Sequence, residues 1–427
     1  MQKLIKGCRV LDPGQMDQEK DILIKDGVIE AILDPGTDLS GTDKDMEIVD
    51  CSGKVMVPGL VDIHVHLREP GHEYKETIET GLKSAAKGGF TAVCSMPNTR
   101  PINDNAQVTS FIIEKGRAAN GAKVYPAGAI SKASSGESLA EIHDMKVAGA
   151  KAITDDGWPV SDSQLMRRAL EYSKGMGLPV FVHAEDASLA KGGAMNEGLA
   201  ATQMGIKGIP NAAESVMVAR DIYLSELTGA PVHFCHISTA ESIEAIRQAK
   251  KRGSLVTCET APHYFTLTDG DIPPYDTNFK MNPPLRSEVD RQAVIQGLVD
   301  GTIDAIATDH APHGVDEKDV EFDQAAFGII GLETAFALSY QLVLDGKLSL
   351  EALMVKMSQA PAGILQIDTG IAVGKPADLT ILDLESKWTV NPDDFVSKSR
   401  NTPFAGRRVT GEVAMTLVDG KIVYRKS

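Results

Sequence analysis

Val61-Asp-Ile-His64-Val-His66-Leu-Arg68-Glu-Pro70 alternates apolar with polar side chains, the period-two pattern of a β-strand. Residues two apart share a face, so Ile63, Val65 and Leu67 are expected to face covering helices. Asp62, His64, His66 and Arg68 then face the interior. Four polar side chains turned inward are costly unless something satisfies them. Two imidazoles side by side at a strand end can do so by sharing a metal ion. Plain hydrogen-bonded core histidines are the bland alternative.

Seven further strand-like runs follow, at 90–96, 123–127, 150–154, 179–183, 231–237, 254–258 and 303–308. Most gaps carry a helical period, at 76–87, 104–119, 161–174, 213–228 and 240–251. Eight strands alternating with helices predict an α/β fold, a (β/α)8 barrel of the TIM type. A doubly wound open sheet fares worse. No GxGxxG follows the first strand, and polar residues gather at the ends of several strands. The flanks read differently. Apolar runs at 22–24 and 28–32 enclose Lys25-Asp26-Gly27, and runs at 414–418 and 421–424 enclose Asp419-Gly420, the pattern of hairpins. Neither end is long enough to bury a good core alone. We therefore expect one small β-sandwich domain built from 1–56 plus 366–427, with the barrel occupying 57–365.

The composition of the 427 residues is that of an ordinary folded protein, 42% hydrophobic and 24% charged. A net charge of −16 makes nucleic acid and anionic membranes poor partners, because phosphate contacts need clustered Lys and Arg. No apolar run approaches the ~18 residues of a membrane span. The opening Met-Gln-Lys-Leu-Ile-Lys-Gly lacks the apolar core of a signal peptide. Cys8, Cys51, Cys94, Cys235 and Cys258 are odd in number and scattered, which fits free thiols and a cytoplasmic address.

Other strand ends repeat the chemistry of the first. Phe181-Val-His183-Ala-Glu185 ends the fifth, and His233-Phe-Cys-His236 ends the sixth. His233 and His236 are three apart, so by alternation only one can face the site; His236 lies nearer the C-terminal rim, where barrel sites are built. Thr154-Asp155-Asp156-Gly157 offers one inward carboxylate, and Thr308-Asp309-His310 follows the eighth strand. His64, His66, His183, His236, one of Asp155 and Asp156, and Asp309 together form a candidate binuclear centre of N and O ligands. Zinc, one or two ions per chain, suits it best, and Co²⁺ or Mn²⁺ could substitute. A bound metal lowers the pKa of its water from 15.7 to about 7. Asp309 is placed to take a proton from that nucleophile and deliver it to a leaving nitrogen. The implied chemistry is hydrolysis of an amide-like bond.

With these residues in hand, the chain resembles the amidohydrolase superfamily and, within it, the class I dihydroorotases. Asp62-Ile-His-Val-His-Leu-Arg-Glu-Pro70 and Ala307-Thr-Asp-His-Ala-Pro-His-Gly-Val-Asp-Glu-Lys318 match that family's two signatures. Met96-Pro-Asn98-Thr, Asp155-Asp156-Gly157, Met281-Asn282-Pro-Pro-Leu-Arg286, Phe327-Gly328 and Gly374-Lys-Pro-Ala-Asp378 follow in the expected order. The resemblance implies reversible cyclisation of N-carbamoyl-L-aspartate to L-dihydroorotate in de novo pyrimidine synthesis. It implies that His64, His66 and Asp309 hold one metal, that His183 and His236 hold the other, and that Asp156 bridges. A carboxylated Lys151 is the alternative bridge, but its strand parity is opposite to that of Asp156. Arg68, Asn98 and His313 would grip the substrate carboxylate, and Asn282 with the Phe327-Gly328 backbone would contact the ring. Aspartate carbamoyltransferase and a second copy of the chain are the candidate protein partners. His263 is expected behind the ligands and His143 in solvent, with weaker claims for His72 and His310.

Two rival readings stand beside this one. A hydantoinase, dihydropyrimidinase or allantoinase shares the barrel and the HxH pair but gives Arg68, Asn98 and His313 no carboxylate to meet. An inactive paralogue serving as a structural partner of aspartate carbamoyltransferase would have lost metal ligands, and here every ligand position is filled.

Overall fold

The structure, a computed structural model, describes residues 2–37 and 46–426. Five strands open the chain: β1 (Gln2–Asp12), β2 (Met16–Lys25), β3 (Val28–Leu33), β4 (Glu47–Asp50) and β5 (Val55–Pro58). Barrel strands β6 (Leu60–Val65), β7 (Phe90–Ser95), β8 (Lys123–Gly128), β9 (Ala152–Ile153) and β10 (Val180–Val182) follow. After a small ribbon, β11 (Met195–Asn196) with β12 (Gly208–Ile209), come β13 (Val232–Phe234), β14 (Val256–Thr260) and β15 (Ala305–Ile306). The last strands are β16 (Leu379–Thr389), β17 (Arg408–Val418) and β18 (Lys421–Arg425).

The eight barrel strands pair in sequence order, all parallel. Closure comes from a bridge between Val65 and His310, with the His66 amide donating to the His310 carbonyl at 2.8 Å. The buried Asp62 carboxylate locks the same seam, accepting from the Thr308 amide at 3.1 Å and hydroxyl at 2.6 Å. Helices fill the predicted gaps at Ile78–Lys87, Ala106–Ala118, Ser163–Met176, Ala212–Thr228 and Ala240–Lys251. Their starts are set by capping: Asn105, Asp162 and Thr239 each accept an amide hydrogen from the first turn through the side chain.

Inside the barrel, Ala92, Cys94, Ala127, Ala152, Cys235, Ala305 and Ala307 pack around Val61, Ile63 and Phe181. Small residues leave room for the Phe181 ring, and Ala362 and Leu365 close the N-terminal end. Two expectations from strict alternation fail here. Ile63 faces this interior cluster, not the helices, because the β6–β7 register shifts between Asp62 and Val65. That bulge carries one residue too many, so Ile63 and His64 both stay inside while Val65 returns to the helical side. His233 and His236 likewise both reach the interior. The strand ends at Phe234, and His236 turns back with φ of 36°.

The strands from the two termini form one sheet, ordered β18-β17-β16-β5-β1-β2-β3 with β4 beside β1. Ile5, Ile24 and Ile29 from one side share a core with Met56, Ile381 and Leu417 from the other. The sheet therefore curls around a core of its own. Its two hairpin tips touch. Asp26-Gly27 and Asp419-Gly420 take positive φ at both central positions, as a two-residue turn of this hand requires. A Cβ on Gly27 would lie 2.9 Å from the Asp419 carbonyl oxygen, so only glycine lets the tips approach. Among the described residues no helix is long and apolar enough to cross a membrane.

Candidate metal centre

All six expected ligands converge at the C-terminal rim, and all are buried. One carboxylate organises them. Asp156 turns Oδ2 toward the Nε2 atoms of His64 and His66, both at 3.4 Å. Its Oδ1 faces His183 Nδ1 at 3.5 Å and His236 Nε2 at 3.4 Å. Asp309 Oδ1 completes the first group, 3.6 Å from His64 and 3.2 Å from His66. Most of these separations are long for hydrogen bonds. They suit another purpose: two ligands each ~2.1 Å from one tetrahedral ion lie about 3.4 Å apart. His64 Nε2, Asp156 Oδ1 and His183 Nε2 are buried without a hydrogen-bond partner, a costly state for polar atoms that a cation at the first two would relieve. The donor set thus fits one or two divalent cations, with Asp156 between them.

The backbone pays locally for this convergence. Arg68, His236 and Asp309 adopt φ of 65°, 36° and 50°, a region costing a non-glycine residue ~1 kcal/mol or more. Each lies just past a strand end, where leaving the extended conformation turns its side chain back over the barrel mouth.

Behind the ligands, hydrogen bonds fix which imidazole nitrogen faces the cluster. Glu259 Oε1 lies 2.7 Å from His64 Nδ1. Asn98 Oδ1 lies 2.8 Å from His66 Nδ1. Both oxygens can only accept, so each Nδ1 carries the hydrogen and each Nε2 lone pair is left for a metal. Glu259 also meets His233 Nε2 at 3.2 Å, while His233 Nδ1 meets the Thr257 hydroxyl at 2.8 Å. His233 is thus a packed histidine one layer below the ligands. The thiol of Cys235 is pushed above its usual range by burial, which keeps it protonated. Asp155, the other member of its pair, is spent on the loop at 130–131, accepting from the Ile130 and Ser131 amides.

Charge follows the same geometry. Burial alone would raise the Asp156 and Asp309 carboxyls, but His64 and the other facing imidazoles outweigh it and hold both well below the usual range. Burial alone would lower His64, yet Asp156 and its neighbours raise it. The cluster is a set of ionised carboxylates ready for cations.

The Glu259 role was missed in the sequence because the apolar run stops at Cys258, whereas β14 continues to Thr260. Glu259→Gln is expected to weaken divalent-metal affinity about 10- to 100-fold, measured by competition with a chromophoric chelator. Unchanged affinity would remove Glu259 from the site.

The residues expected around a substrate are arranged on one side of the cluster. Arg68 is 8% exposed; its Nε donates to the Pro312 carbonyl at 3.0 Å and its Nη2 lies 3.3 Å from His313 Nε2. No carboxylate among the described residues pairs with it. Burial pushes its pKa down to about 10, so it stays charged. His313, pushed down to about 3 chiefly by burial, is neutral; its Nδ1 faces Lys75 at 3.3 Å and Glu317 at 3.4 Å. Asn282 donates to Glu185 at 2.8 Å, leaving its buried Oδ1 unpaired. The Gly328 amide is already donated to the Lys280 carbonyl at 3.0 Å, and its carbonyl accepts from Asn401. Phe327 is partly exposed, and its carbonyl lies 2.8 Å from His313 Nε2.

Lys151 stands apart. It precedes β9, lies 6.0 Å from the Tyr125 ring and lines a cavity with Lys123 and Asp419, away from the ligands. His263 is buried, and burial pushes it down to about 4. His310 is buried against Glu76 at 3.5 Å, and His143 is exposed.

Comparison with known proteins agrees with this geometry. A family model described as Dihydro-orotase-like matches residues 53–242. A dihydroorotase from Desulforapulum autotrophicum is 60% identical over 99% of this chain and 98% of its own length. One from Geobacter metallireducens is 54% identical over the whole of both. Among solved structures, an L-hydantoinase from Arthrobacter aurescens superposes with a TM-score of 0.88 at 28% identity, covering 100% of this chain and 96% of its own. A dihydropyrimidinase from Brevibacillus agri gives 0.85 at 24% identity, covering 100% and 95%, and shares the fold.

Proposed function

The chain belongs to the dihydroorotase family, and from that premise we propose that it interconverts N-carbamoyl-L-aspartate and L-dihydroorotate in de novo pyrimidine synthesis. Identities of 60% and 54% with dihydroorotases over essentially full length support the reaction. The observation that carries the substrate is Arg68. A buried guanidinium that pairs with no acid among the described residues costs several kcal/mol, and it sits beside the metal ligands with His313 at its side. A substrate carboxylate supplies the missing anion, held by the planar fork of the guanidinium. Asn98, whose Oδ1 is committed to His66, keeps its amide hydrogens for the same group. Asn282 and the Phe327-Gly328 segment flank the ring; with the Gly328 backbone already engaged, the segment acts there through Phe327.

His64, His66 and Asp309 would hold one divalent ion, His183 and His236 a second, and Asp156 would lie between. Bound there, such an ion supplies the positive charge that makes water ionisable near neutral pH. In the hydrolytic direction Asp309, ionised before substrate arrives, accepts the proton of the attacking water. It returns that proton to the ring nitrogen as the C–N bond breaks, and the closing direction reverses both transfers. Zinc is the ion we assign, because four imidazoles and two carboxylates without a thiol suit it, with Co²⁺ or Mn²⁺ as substitutes. Five buried, unpaired cysteines support a reducing, cytoplasmic setting. Aspartate carbamoyltransferase and a second copy of the chain remain the partners to test by co-purification.

Offered L-dihydroorotate, hydantoin and dihydrouracil, the metal-loaded protein is expected to turn over the first. Turnover of the uncharged rings alone would overturn the assignment. Arg68→Met is expected to lower kcat/KM for L-dihydroorotate about 10²- to 10³-fold, the equivalent of about 3–4 kcal/mol for a buried charge pair.

A further inference from the structure

Two buried lysines at the barrel mouth have no part in the chemistry above. Lys318, at the end of the short helix Val315–Lys318, is 7% exposed, and Lys280 is 2% exposed. Neither pairs with a carboxylate among the described residues. Each instead donates to backbone carbonyls. Lys318 Nζ reaches Thr277 and Lys280 at 3.0 Å and Ala326 at 2.7 Å. Lys280 Nζ reaches Asp323 at 2.9 Å and lies 4.3 Å from the centre of the Phe327 ring.

An ammonium taken out of water without a counter-ion is expensive, so an arrangement that uses two must return something. Three carbonyls use all three hydrogens of Lys318, and the three come from two separate loops. One loop, 277–282, ends in Asn282. The other, 318–328, carries Phe327 and Gly328. The Lys280 carbonyl is the shared point, accepting from Lys318 and from the Gly328 amide at 3.0 Å. From Ala326 the connection runs to the Phe327 carbonyl, then to His313 and Arg68.

We propose that Lys318, assisted by Lys280, is a positioning residue: its ammonium clamps the loop bearing Asn282 to the loop bearing Phe327, holding Phe327 and His313 in register for substrate. The proposal takes its substrate, though not its geometry, from the dihydroorotase reading. Burial pushes Lys318 down to about 7 and Lys280 down to about 8, a cost to each ammonium that the carbonyl acceptors around it oppose. A lysine serving only overall stability would leave KM alone.

The test compares the metal-loaded protein with Lys318→Met and Lys280→Met. Both variants are expected to raise KM for L-dihydroorotate about tenfold or more, with kcat within about threefold and bound metal unchanged. Amides at 322–328 should exchange hydrogen faster in substrate-free Lys318→Met, while barrel-strand amides keep their protection. Unchanged KM with unchanged exchange overturns the clamp, as does loss of metal and kcat with no change in KM. If Lys318→Met fails to fold, Lys280→Met decides the matter by the same readings. If the unaltered protein does not turn over dihydroorotate but exchange at 322–328 still rises, the substrate assignment fails while the clamp stands.

Discussion

Asp309→Ala is expected to fold, keep its four site histidines in place and lose turnover by at least about 10³-fold. The size follows from the two tasks of one carboxylate. Positioned proton transfer contributes about 10²–10⁴ to a rate, and here the same Oδ1 faces both His64 and His66 as a candidate ligand. The facing imidazoles hold the carboxyl well below its usual range despite burial, so the wild-type group is an ionised base throughout the neutral region. Thermal melting, metal content and steady-state kinetics on one sample separate the roles. Metal retained with turnover lost assigns the proton transfer to Asp309. Metal lost together with turnover assigns it a holding role first. Near-normal rates would remove it from both.

Much of the barrel and its rim was legible from residues alone, for a physical reason. Parallel strands covered by helices must alternate in sequence with them, and buried polar side chains at strand ends need an explanation that core packing does not provide. Asp155 and Asp156 are the clearest case: parity allowed only one of them inward, the family resemblance named Asp156, and the structure commits Asp155 to loop amides while Asp156 faces four imidazoles. What parity could not supply is where it breaks. The bulge before Val65 turned Ile63 inward, and a positive φ brought His236 to the same side as His233. Neither departure leaves a mark in local composition.

Glu259 was hidden for a different reason. An acid at the end of an apolar run looks like the first residue of a loop until the pairing of β14 with β15 shows it is still strand. The family resemblance placed Asn98 on the substrate carboxylate and the Gly328 backbone on the ring. The structure adds what each already does: Asn98 orients His66, and the Gly328 amide is tied to Lys280. Lys280 and Lys318 are ordinary surface residues by composition, and only the tertiary fold shows their ammonium groups buried against carbonyls.

Metal removal should have the largest effect of all, because every assigned role presumes ions between the carboxylates and imidazoles. Without them, the unpaired buried atoms His64 Nε2 and Asp156 Oδ1 are left unsatisfied in a site whose ligands are all buried. The ionisation of water then has no source of positive charge, and its pKa returns from about 7 toward 15.7. The direct measurement is elemental analysis beside a dihydroorotate assay, before and after exhaustive dialysis against a strong chelator, then after adding back zinc. The expected result is one to two equivalents of divalent metal per chain, activity that falls at least about 10³-fold as the metal leaves, and recovery on re-addition. Full turnover by protein shown to be free of metal would contradict the account at its centre.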